Sequence, residues 1–175
     1  MRSEAMVTLA IVGAVLSPSA GYTAWNGPVS EEYKPLTCPL GVLPSRIFCS
    51  GGYCDNMWLD CTSGAFSVRQ RTWLDYFSEE GAHTGNCGAG FVTGMACKGS
   101  YCDNISLECS SLNGYVPSGN CYQTGQVSEE NGGTLAFPPG YYPVRARCFG
   151  RYCDNMDFYV CTLAPSAAPF RPNAR

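Results

Sequence analysis

Cys49-Ser50-Gly51-Gly52-Tyr53-Cys54-Asp55-Asn56-Met57 is written twice more in this chain. The copies are Cys97-Lys98-Gly99-Ser100-Tyr101-Cys102-Asp103-Asn104-Ile105 and Cys148-Phe149-Gly150-Arg151-Tyr152-Cys153-Asp154-Asn155-Met156. Each copy runs on to one more cysteine, at Cys61, Cys109 and Cys161. The likeness also extends upstream. Ser30-Glu31-Glu32 recurs as Ser78-Glu79-Glu80 and Ser128-Glu129-Glu130, and a glycine follows each at Gly41, Gly90 and Gly140. The Ser-Glu-Glu copies lie 48 and 50 residues apart, and the Tyr-Cys-Asp-Asn copies 48 and 51. Self-similarity at a fixed period decides architecture before any local signal does. Three units of about fifty residues, 25–61, 73–109 and 121–161, therefore fill one domain over 21–161.

Within a unit the local pattern is β. Arg46 to Cys49 reads as a strand, Ser50 to Tyr53 as a tight turn, and Cys54 to Cys61 as the return strand. Met57 and Leu59, like Ile105 and Leu107 or Met156 and Phe158, alternate as in a half-buried strand. Gly51, Gly99 and Gly150 suit the positive φ at the first central position of a two-residue type II′ loop. Such a loop sets Cys49 directly opposite Cys54, at a Cα separation of about 4.5 Å that a disulfide accepts. Local bridges Cys49–Cys54, Cys97–Cys102 and Cys148–Cys153 follow, in competition with bridges from the return-strand ends, such as Cys61 to Cys49. Cys38 and Cys87 occupy equivalent places. The third unit has Phe137 there, and carries Cys121 where the other units carry Trp25 and Trp73. The expected fold is all-β, disulfide-rich and closed with pseudo-three-fold symmetry, a β-prism or a trefoil-like barrel. Closure removes exposed sheet edges. The alternative is three tandem stapled minidomains, each too small to stand on its core alone.

Twelve cysteines in 175 residues approach the density of a disulfide scaffold. Arg2, the apolar run Val7 to Leu16 and the small residues Ser17, Ser19 and Ala20 read as a signal peptide over 1–20, and so as export. No other stretch is long and apolar enough to span a bilayer. A net charge of −3 without a basic run argues against nucleic acid. Residues 162–175, rich in Pro and Ala, read as a disordered tail.

Candidate chemistry is sparse. His83 is the one histidine, set in a Gly-rich loop of one unit. No nucleophile motif or phosphate loop is present. Repeated cysteines in an oxidising compartment leave no spare thiolate for catalysis or zinc. The chain thus reads as non-catalytic, with no cofactor and no metal. Nine of the fourteen acidic residues lie in the Ser-Glu-Glu and Cys-Asp-Asn copies. Their oxygens would suit calcium, but no dense ligand loop surrounds them. The Ser-Glu-Glu copies read as turn or cap elements, with Ser as N-cap. The repeated Tyr, Asp and Asn are the candidate ligand residues: Tyr53, Asp55 and Asn56; Tyr101, Asp103 and Asn104; Tyr152, Asp154 and Asn155. Asp and Asn can grip vicinal hydroxyls, and Tyr offers a face to a sugar ring. The same residues also close turns and pack beside glycine. Asn104-Ile105-Ser106 is a glycosylation sequon in one copy only, and reads as chance.

Cys-x-Gly-x-Tyr-Cys-Asp-Asn resembles Cys-rich repeats of secreted proteins, among them accessory domains of perforin-like proteins and lectin-like modules. The resemblance covers about a dozen residues per copy. It implies an extracellular β-rich recognition module acting on glycans or a cell surface, and gives Tyr53, Asp55, Asn56 and their copies candidate status. This chain holds no pore-forming or hydrolase domain. The other reading is a structural or defensive protein, an inhibitor or coat component, whose repeats serve stability alone.

Overall fold

The computed structural model describes residues 25–166. The signal peptide expected over 1–20 lies outside that range. The described residues form twelve strands and four short 3-10 turns: β1 (Trp25–Val29), β2 (Leu36–Thr37), β3 (Leu43–Ser50), β4 (Asn56–Ser63), β5 (Val68–Trp73), β6 (Thr84–Asn86), β7 (Phe91–Lys98), β8 (Asn104–Leu112), β9 (Tyr115–Val127), β10 (Thr134–Ala136), β11 (Tyr142–Phe149) and β12 (Asn155–Pro165). The protein is all-β and disulfide-rich.

Two sheets form. One has the order β1-β4-β3-β10. The other runs β2-β7-β8-β9-β12-β11-β6, with β5 paired to β8. In each unit a long hairpin, β3–β4, β7–β8 or β11–β12, carries the paired apolar residues. An N-terminal strand of the same unit adds to the return strand: Trp25 faces Asp60, Trp73 faces Glu108 and Gln123 faces Tyr159. The residue equivalent to Trp25 and Trp73 is therefore Gln123, two positions after Cys121. A short strand then crosses to a neighbour. First-unit β2 pairs with β7 of the second, β6 of the second with β11 of the third, and β10 of the third with β3 of the first. Three backbone bonds repeat the pattern, from Cys38 N–H to Thr93 O (2.7 Å), Cys87 N–H to Val144 O (2.9 Å) and Phe137 N–H to Ser45 O (2.8 Å). Phe137 fills the place of a cysteine in the third unit, and its ring packs edge-on against Phe158 at 5.8 Å.

Inward residues of the three hairpins share one core, in which Ile47, Met57, Leu59, Met95, Ile105, Leu107, Ala146, Met156 and Phe158 are 0–1 % exposed. Burial on this scale favours folding by about 25 cal/mol per Å² of apolar surface removed from water. A smaller cluster forms around Leu43, Phe91, Leu112, Val144 and Cys161.

All twelve cysteines are bridged. The local bridges Cys49–Cys54, Cys97–Cys102 and Cys148–Cys153 are present, each with Cα atoms 5.0 Å apart. Their expected register is not. Cys49 faces Met57, and Ser50 faces Asn56, so the loop spans Gly51 to Asp55. Cys54 sits inside that loop at φ 55. The two-residue type II′ turn is replaced because Asp55 folds back under Gly51 and needs the extra residues. Cys61 joins Cys38, Cys109 joins Cys87, and Cys161 joins Cys121. That overturns the competing Cys49–Cys61 pairing. Residues 162–165 of the expected disordered tail are strand instead. Leu163, Ala164 and Pro165 pair with Pro117, Val116 and Tyr115, extending β12 along the long partner strand β9. Residues 167–175 of the expected tail lie outside the described range.

Candidate functional site

The nine Tyr, Asp and Asn candidates meet at one vertex. Each hairpin ends in the same backbone shape: Gly51, Gly99 and Gly150 at φ 80–81, then Tyr and Cys at φ 55–59. A Cβ on these glycines would stand 1.9–2.0 Å from the Asp55, Asp103 or Asp154 Oδ1. Asn56, Asn104 and Asn155 each donate Nδ2 to that same oxygen, at 2.5–2.6 Å. Asp and Asn thus tie their own turn. The three Tyr rings pack against one another, with centroids 5.1–5.2 Å apart. The Arg151 guanidinium lies over Tyr152 and hydrogen-bonds its hydroxyl. That bond holds the Arg151 pKa above its ordinary value.

The Ser-Glu-Glu segments reach the tips of neighbouring units. Glu129 Oε1 accepts the Tyr53 N–H at 2.9 Å, and Glu79 Oε1 accepts the Tyr152 N–H at 2.6 Å. Glu31 stands against Cys102. Amides of a turn with positive φ form a concavity that suits an anion. Ser128 caps the short turn Glu129–Asn131, its hydroxyl accepting from the Glu130 N–H. Replacing Glu129 by Ala should cost about 1.5–3 kcal/mol, the loss of a charged partner to a backbone donor. The same change at exposed Glu130 should stay within about 0.5 kcal/mol. Urea unfolding midpoints measure both.

Two carboxylate–sulfur groups have metal-like spacing, Glu31 with Cys97 and Cys102, and Glu79 with Cys148 and Cys153. Their sulfurs are bridged and offer no thiolate, so neither group is a zinc set. The sequon at Asn104 is closed in the folded chain: Ser106 is buried and its hydroxyl donates to Leu74 O at 2.6 Å. His83 is exposed, and its carbonyl accepts the Cys148 N–H.

A different surface has the shape of a binding site. On the outer face of β1-β4-β3-β10, Thr134, Phe48 and Trp58 stand directly across from one another on three strands. Next to them Trp25 faces Asp60, which faces Arg46. Trp25, Phe48, Trp58 and Thr134 line an open trough of about 330 Å³. Ring centroids lie 5.9 Å apart for Trp25 and Phe48, and 5.0 Å apart for Phe48 and Trp58. The planes are tilted by 60° and 42°. Arg46 lies 4.9 Å from the Trp25 ring and donates Nε to Asp60 Oδ2 at 2.7 Å. Trp25 is 40 % exposed.

The other units show that the scaffold does not require the Phe48 and Trp58 rings. The cross-strand pair Phe48–Trp58 corresponds to Ala96–Ser106 and to Arg147–Asp157. In the second unit the pair is buried; in the third it is an ion pair. Neither a family model, nor a characterised protein, nor a solved structure matches the chain. The trough is not among the features that the units share, which are the ones a repeat brings out. The signal was there in what they do not share: aromatic residues at 48 and 58, at outward positions between the inward Ile47, Cys49, Met57 and Leu59.

Proposed function

We infer that this protein is a secreted, non-catalytic recognition module, a ring of three β units that binds carbohydrate through the trough of Trp25, Phe48 and Trp58. The ring reading is supported by the short strands and Glu contacts that pass from unit to unit and return from the third to the first. The observation that carries the binding reading is the run of three adjoining aromatic rings along an open trough, two of which, Phe48 and Trp58, stand at positions where the other units have small or charged residues. Aromatic faces stack on the apolar faces of sugar rings, while Arg46 and Thr134 supply polar groups at the margin. The tilt between successive rings suits a single soluble glycan chain, whose rings twist relative to one another, better than a flat crystalline surface. Six disulfides and the lack, among the described residues, of any helix long and apolar enough to cross a membrane fit an extracellular setting.

Tryptophan fluorescence titrated with soluble neutral oligosaccharides tests this reading. Trp58→Ala should weaken binding at least about tenfold, from the loss of one stacked face worth around 1.5 kcal/mol. Equal affinity in wild type and variant, or no response to any neutral glycan, would sink it. The alternative, a structural or defensive protein, is favoured by one feature: Tyr, Asp and Asn at the vertex are engaged with each other. It predicts no glycan response and unchanged function on loss of Trp58.

A further inference from the structure

The third unit carries a second outward ladder that the aromatic trough does not explain. Gln123, Tyr159, Arg145 and Asn86 stand directly across from one another on β9, β12, β11 and β6. The Arg145 guanidinium lies 4.6 Å from the Tyr159 ring, and one Nη donates to Gln123 Oε1 at 3.0 Å. Gln123 is itself oriented. Its Nε2 donates to Asp157 Oδ1 at 2.7 Å, and an ionised carboxylate can only accept. Asp157 in turn is held by Arg147. Arg145 is therefore fixed by a stack on one side and an oriented amide on another.

Its charge is not neutralised. Among the described residues the ion pairs are Arg46–Asp60, Arg71–Glu108 and Arg147–Asp157. Arg46, the counterpart of Arg145 in the first unit, is spent on Asp60, and the second unit has Gly94 at this position. A guanidinium has five N–H donors in a planar fork. Across the strand, Asn86 accepts the Gly88 N–H with Oδ1, which leaves its Nδ2 as a further donor. A fixed, unpaired fork beside an amide donor is the arrangement that recognises a carboxylate in two-point fashion.

We propose that Arg145 and Asn86 form a carboxylate-binding subsite for a uronic-acid-type sugar of an acidic glycan. The proposal rests on the carbohydrate-binding reading of the chain but uses different residues. A sugar is favoured over an acidic peptide because Asn86 on the same rung, and Thr84 and Gln126 on the adjoining rung across from Arg147 and Asp157, are exposed side chains matched to hydroxyls.

Calorimetric titration with a galacturonic acid oligomer, its methyl ester and a glutamate oligomer tests it. The acid should bind, and the ester at least about tenfold more weakly, because esterification removes the charge that the fork pairs with. Arg145→Gln should reproduce that loss with the melting temperature kept, and Arg145→Lys should fall between. Trp58→Ala should leave uronate affinity within about twofold, so failure of the trough and failure of this subsite are read separately. The proposal is overturned by any of three results: no uronate binding, equal affinity for acid and ester, or glutamate oligomer binding as tightly as uronate.

Discussion

Removing the Cys121–Cys161 bridge by a double change to Ala is expected to lower the unfolding free energy by about 4 kcal/mol, on the loop-entropy relation for its sequence separation of 40. In a chain of this size that corresponds to a fall in melting temperature on the order of 10 °C. The bridge lies in register, Cys121 directly across from Cys161 on β9 and β12. The closed loop contains β10, β11 and the whole third tip, so its loss frees most of a unit in the unfolded chain. The Cys49–Cys54 bridge closes a separation of only 5. The same relation gives about 2 kcal/mol for its removal. Calorimetric melting of the two double variants under oxidising conditions measures the ratio. Equal losses would show that tip geometry, and not loop length, sets what a bridge contributes here.

Gly150→Ala should cost about 3–4 kcal/mol. Gly150 has φ 81 and ψ −168, a region that only glycine occupies readily, and a non-glycine residue there costs of order 1–3 kcal/mol. The added Cβ would also meet Asp154 Oδ1 at 2.0 Å and Asn155 Nδ2 at 2.7 Å, breaking the hydrogen bond that ties the turn. Gly52 in the first tip is the control. Nothing lies within 4 Å of its missing Cβ, and Ser100 and Arg151 stand at that position in the other tips. Gly52→Ala should change stability by less than about 0.5 kcal/mol. Adding Asp154→Ala to Gly150→Ala separates backbone strain from collision, since only the collision is relieved. Urea unfolding of all three variants decides the matter.

Local chemistry was legible in the sequence wherever one short segment determines it. The turn glycine and the alternating core residues Met57, Leu59, Ile105, Leu107, Met156 and Phe158 follow from spacing and side-chain type, and the tip bridges are one of the two pairings that spacing allows. The loop register did not follow, because Asp55 and Asn56 act first as the tie that lengthens the turn, a contact that residue type alone leaves open. The long bridges to Cys38, Cys87 and Cys121 depend on which strands become neighbours, and cysteine spacing leaves that open. The trough needed two facts that no single segment carries. Phe48 and Trp58 had to face outward in register, and no described segment had to close over the trough between them. In the second unit Leu74 receives the Ser106 hydroxyl and closes the equivalent place. The setting of Arg145 depends on Tyr159 and Gln123, which the register of β9, β12 and β11 brings to it.

Every disulfide begins and ends inside one unit. None crosses the segment 64–67 between β4 and β5, or 113–114 between β8 and β9. The covalent graph of the molecule is thus three lassos on a string, while its contacts run in a circle through β2, β6 and β10. Only these two peptide joints impose an order on the units. Chain direction is consequently a matter of threading more than of architecture.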